Sequence, residues 1–160
     1  MRREKFLWPL TQGHHGALVA ARNIRARLSG GPGEGPGAPE SLVREVEAFF
    51  RDDLELHFKG EEDVLLKAFE ERVGPSDEGS RKIREDHRVL RELSRSSRRT
   101  DLSQFAEVLT AHIRYEEDIF FPRVEAELTA GEKERLAEEL AGFRPGGTHV
   151  PPPVEGPQKS

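Results

Sequence analysis

Four stretches of this 160-residue chain repeat apolar residues every three to four positions, and each sets one histidine in its apolar stripe. Residues three and four apart share a helix face, so the rhythm calls for helices that bury one side and carry an imidazole inward. No segment shows sustained strand alternation or a hairpin signal, and the fold expected is all-α. Two of the stretches add a glutamate four residues after the histidine, in His57-Phe58-Lys59-Gly60-Glu61 and His112-Ile113-Arg114-Tyr115-Glu116. Each pair can aim an imidazole and a carboxylate at one point, which is a donor set for a transition metal.

The first helix is expected from about Lys5 to Leu28, with Leu10, His14, Ala17, Ala21 and Ile24 on its stripe, before a Gly/Pro-rich loop reaching Pro39. The second runs from about Pro39 to Val73 and turns Val46, Phe49, Leu54, His57, Glu61, Val64, Leu65 and Ala68 inward. Ser76 or Asp77 caps a third helix carrying Ile83, His87 and Leu90, and Thr100 or Asp101 caps a fourth carrying Phe105, Leu109, His112, Glu116 and Ile119. Pro122 is expected to kink or end that helix, and Thr129-Ala130-Gly131-Glu132 reads as a capping box opening a short terminal helix to about Leu140. Beyond it, glycine and proline with few apolar residues mark a flexible tail without chemistry, in which His149 is a solvated residue. One domain over 1–142 and a tail over 143–160 follow.

The chain has no cysteine, which excludes disulfides, thiolate metal sites and a cysteine nucleophile and leaves histidine and carboxylate for metal chemistry. A formal charge of −5 with acids and bases interspersed argues against nucleic-acid binding, and the Arg95 to Arg99 cluster reads as a solvated helix end. No stretch approaches the roughly 20 apolar residues that span a bilayer, and no apolar run of signal-peptide length opens the chain. A cytoplasmic protein with no membrane association is expected.

His14, His57, His87 and His112 therefore meet Glu61 and Glu116 in one interior. Burying two glutamates without partners costs several kcal/mol each, whereas cations cancel their charge and satisfy their oxygens. Adjacent His14 and His15 cannot both point inward, and the apolar neighbours at Leu10, Ala17, Leu18 and Ala21 select His14, leaving His15 at the rim. In a regular helix Glu61 and Glu116 lie about 40° from their histidines and Glu62 and Glu117 about 140°, so the nearer acids should bind. Tyr115 reads as a packing residue.

With these residues in place, the chain resembles the hemerythrin family, in its bacterial form with a His, His-x-x-x-Glu, His, His-x-x-x-Glu pattern. Matching positions are His14, His57 with Glu61, His87, and His112 with Glu116, and Glu116-Glu117-Asp118-Ile119-Phe120-Phe121-Pro122 resembles the family's acidic stretch ending in Phe-Pro. The likeness extends from about Leu10 to Leu128. It implies an up-down-up-down four-helix bundle holding two non-heme irons bridged by Glu61, Glu116 and an oxo or hydroxo oxygen, with His14 and His57 on one iron and His87 and His112 on the other. It also implies a small diatomic ligand or peroxide as partner, with peroxide decomposition as a hypothesis and an iron or oxygen sensor as the rival reading. Oxygen-transporting members carry a second histidine on the third helix, where this chain has Ile83 and Arg91, and an aspartate on the last, where it has Glu117. Fewer imidazoles leave more open coordination positions, which favours reaction over protected storage.

Overall fold

A computed structural model describes residues 2–29, 35–143 and 149–153; the middle of the Gly/Pro-rich loop and most of the expected tail (144–148 and 154–160) lie outside the described residues. The described chain is all-helical. A 3-10 turn (Lys5–Leu7) leads into α1 (Trp8–Ser29). Next come α2, a continuous rod over 40–73, then α3 (Glu78–Leu93), α4, a second rod over 99–127, and the short α5 (Ala130–Leu140). Among the described residues no helix is long and apolar enough to cross a membrane.

Local chemistry sets most of the boundaries. The Asp77 carboxylate accepts from the Ser80 backbone N–H at 3.0 Å and opens α3, and Thr129 with Glu132 forms the expected capping box of α5. Asp77 also takes two donors from Arg123, which outweigh its partial burial and hold its pKa below the usual carboxylate range. A depressed carboxylate stabilises the fold above its unfolded pKa and loses that contribution as pH falls through the folded value. Asp77→Ala should cost about 1–2 kcal/mol in denaturant unfolding at neutral pH, and the difference from the parent should shrink at acid pH.

The start of α4 departs from expectation. It begins at Arg99 rather than after Thr100 or Asp101, with Arg98 in the cap position and no side chain capping it. Tertiary contacts replace that cap, because Arg99 N–H donates to the Pro36 carbonyl at 2.8 Å and the Ala38 N–H to Ser97 at 2.8 Å. Arg99 is not a solvated cation either, since its guanidinium donates to the Leu28 carbonyl at the end of α1.

Both rods contain π turns, at Phe50–Leu54 and Glu61–Leu66 in α2 and at Glu116–Phe120 in α4. A π turn holds one residue more than an α turn, so the inward face beyond it is displaced by one position. Ile119, expected inside, is 53% exposed, and Phe120 and Phe121 take the interior instead. Likewise Leu65, Leu66 and Phe69 are fully buried while Val64 and Ala68 lie only partly inside. Pro122 does not end α4. It occupies the first turn of the α segment after the π turn, where a missing N–H is tolerated, and the helix continues to Glu127.

The core falls into two apolar clusters. One gathers Ala17, Ile24, Val46, Phe58, Leu90 and Leu109, and the other gathers Leu10, Leu65, Phe69, Ile83, Phe120 and Val124. His14, Glu61, His87, His112 and Glu116 are buried between them. Along α1 the chain passes from the second cluster to the first, along α2 back, along α3 forward and along α4 back. Each crossing carries one of the four histidines through the polar layer.

Candidate metal centre

All six expected residues meet in that layer. His14, His57, Glu61 and Glu116 offer donor atoms within 4.8 Å of one another, and so do Glu61, His87, His112 and Glu116. Glu61 and Glu116 belong to both groups. Each heads a π turn, a feature frequent at functional sites because the widened turn re-aims the side chain that begins it.

The doubled acids grip imidazoles of neighbouring helices. Glu61 lies 2.8 Å from His87 Nε2 while Glu62 accepts from His87 Nδ1 at 2.6 Å. Glu116 lies 3.0 Å from His14 Nε2 while Glu117 is 2.5 Å from His14 Nδ1. His112 Nδ1 meets Asp86 at 3.0 Å. His57 and His112 face the glutamates of their own helices, at 3.1 Å from Glu61 and 3.4 Å from Glu116. Outer carboxylates on Nδ1 fix the tautomer and leave Nε2 for the interior, the arrangement that orients metal-ligating histidines elsewhere.

Charge divides the acids into two sets. The outer three each have an external cation: Arg91 on Glu62, Arg3 on Glu117 and Lys82 on Asp86. Glu61 and Glu116 are fully buried beside each other, and the side chains that ion-pair with them are imidazoles. Burial works against ionised His14, but the carboxylates of Glu116 and Glu117 more than offset it and raise its pKa to about 9. Burial is overcome in the same way at His87 and His112, whose pKa values are raised by Glu61 and Glu62 and by Glu116 and Asp86. Glu61 is held well below the usual carboxylate range despite burial, chiefly by the charge of His57. Imidazolium charge thus stands where a cation would balance the two acids.

The residues fit metal ions on a separate count. His14 Nε2, His112 Nε2, Glu61 Oε2 and both Glu116 oxygens are buried and, although they approach one another or His57 as ion pairs at 3.0–3.4 Å, none has a partner in hydrogen-bond geometry. Native interiors rarely leave such atoms without good hydrogen bonds, and five in one layer make a donor set that suits cations. Glu62→Gln or Glu117→Gln, which keeps size but weakens the hold on Nδ1, should lower metal affinity about 10–100-fold, measured by competition with a chromophoric chelator.

A cavity of about 200 Å³ opens beside His14, His57 and His112, with Phe49, Phe58, Leu109 and Ile113 among its walls. Phe58 stacks on His87 with ring centroids 3.8 Å apart and meets His57 and His112 edge-on, so one ring steadies three imidazoles. His15 is exposed, and Tyr115 packs near Gly79 and Phe120 in the second apolar cluster rather than on the cavity. His149, expected to be a solvated residue, is exposed and lines the cavity. Its neighbour Val150 is fully buried, and the Val150 carbonyl accepts from Asn23 at 2.9 Å. A single valine among prolines gave little sign of this, because its burial depends on tertiary packing against the first apolar cluster and not on periodicity.

A family model described as the hemerythrin HHE cation binding domain matches residues 10–124. The chain belongs to the hemerythrin family, and it carries that family's cation-binding domain. Comparison with curated protein sequences and with solved structures returned no match.

Proposed function

We propose that the chain is a di-iron protein that binds or reacts with O₂, peroxide or nitric oxide, built as an up-down-up-down four-helix bundle over 1–142. The supporting observation is that the six donors form two quartets sharing Glu61 and Glu116. Under this reading His14 and His57 serve one ion, His87 and His112 the other, and the two glutamates serve both. Mixed imidazole and carboxylate donors suit iron, which would supply one-electron redox change and open coordination positions for a small ligand.

The side chains around that centre have separable tasks. Nε2 atoms face the centre while Glu62, Glu117 and Asp86 hold the rings from behind. His57, at 13% side-chain exposure the most accessible of the four imidazoles, stands where the cavity reaches the layer. Phe58 and Phe121, stacked on His87 and His14, exclude water from the flanks. No side-chain nucleophile takes part.

Mixing reduced, iron-loaded protein with hydrogen peroxide, O₂ or nitric oxide in a stopped-flow spectrometer tests the reading. A saturable optical change faster than that of free ferrous ion is expected for at least one of them. Behaviour matching the free ion for all three contradicts it.

A further inference from the structure

A diatomic ligand does not need the space this site offers. Water takes up roughly 30 Å³ in the liquid, and a cavity of about 150 Å³ with apolar walls suffices for a benzene ring. The cavity here measures about 200 Å³. Its floor is imidazole, with the Nε2 atoms of His14 and His112, buried and without a partner in hydrogen-bond geometry, among the polar groups of the residues that line it. Its walls are mostly aromatic and aliphatic, with Gln12, Asp53 and His149 as the polar lining residues outside the floor.

A second observation points the same way. Glycine is the poorest helix former after proline, yet α1 places Gly13 and Gly16 on the cavity in mid-helix. Packing does not demand the glycine at 16, since a Cβ there would meet no atom within 4 Å. Gly16 is exposed and lines the cavity, so it stands at the opening, where a large side chain can narrow the mouth. The helix thus carries a poor helix former at a place where its main effect is to leave the approach to the imidazoles open.

We propose that this cavity binds a mostly apolar organic molecule about the size of one ring, carrying a single oxygen function. The oxygen reaches the His14–His57–His112 floor, and the apolar part lies against Phe49, Leu109 and Ile113. The proposal rests on the metal reading for what the oxygen meets, and on the cavity alone for the apolar part. An organic alcohol or hydroperoxide has this form, whereas hydrogen peroxide leaves the walls uncovered.

Benzyl alcohol, which matches the size and has no redox chemistry of its own under these conditions, serves as the probe. It is titrated calorimetrically into the full chain in metal-free and zinc-loaded forms, and into Gly16→Ala and Gly16→Leu, with zinc content measured for each. Saturable one-to-one binding is expected, weakened modestly by Gly16→Ala and at least tenfold by Gly16→Leu while zinc content stays the same. Binding by a chain that takes up no metal would leave the cavity site standing and sink the metal reading. Zinc uptake without saturable probe binding would overturn the cavity site. Equal binding to the parent and to Gly16→Leu would overturn it as well, because the probe would then sit elsewhere.

Discussion

Glu61→Ala is expected to empty the centre, lowering the metal content of the purified protein by an order of magnitude or more. Glu61 is common to both donor quartets, so its loss takes a ligand from each ion at once. It also removes one of the two buried negative charges that no external cation balances, and with it much of the attraction for a cation. His57→Ala is the informative contrast. It removes one donor from one quartet and should leave the His87–His112 side able to hold an ion. Elemental analysis of the two variants beside the parent reads this directly, and full metal retention in Glu61→Ala would contradict a shared-carboxylate centre.

Phe120→Ala should destabilise the protein by about 3–5 kcal/mol, while Ile119→Ala should change stability by less than about 0.5 kcal/mol. The asymmetry between adjacent residues comes from the π turn at Glu116–Phe120. Phe120 is fully buried and meets Phe69 edge-on with ring centroids 5.1 Å apart, so its removal leaves a hole between α4 and the end of α2. Ile119 is 53% exposed and loses little. Denaturant unfolding of both variants in the same metal state decides the matter. The reverse order of effects would mean that α4 continues as a regular α-helix and aims Ile119 inward.

The same turn explains what the sequence disclosed and what it hid. Helix positions and His14, His87 and His112 were legible because each lies in a run whose apolar spacing is regular up to that point, as with Leu10, His14 and Ala17 on α1, whereas His57 follows the π turn at Phe50–Leu54 and was marked by its pairing with Glu61 four residues on. Beyond Glu61 and Glu116 the spacing changes: Leu65 is buried as expected, but a uniform 100° per residue places Val64, Ala68 and Ile119 where Leu66, Phe69 and Phe120 belong. A local sign of the change exists in both rods: Glu-Glu-Asp is followed by three apolar residues in succession, Val64-Leu65-Leu66 and Ile119-Phe120-Phe121, and the last two of each run are both buried. A narrow α stripe does not bury such a pair equally, whereas a widened turn can.

The outer acids were illegible for a different reason. An angle of about 140° from His57 correctly turns Glu62 away from its own helix's imidazole, but says nothing of the imidazole that α3 brings to it. The imidazole partners of Glu62, Glu117 and Asp86 are all on other helices. Periodicity within one helix carries no information about which neighbour stands opposite, and residue 150 was missed on the same ground.

Metal stoichiometry tests the central claim most directly. The chain is purified aerobically without chelator, reconstituted with ferrous iron, freed of loose ions by gel filtration and assayed for iron per chain. About two irons per chain are expected, in line with two quartets that share their carboxylates. A chain that retains no iron, with the five buried donor atoms left to imidazolium charge, would contradict the account.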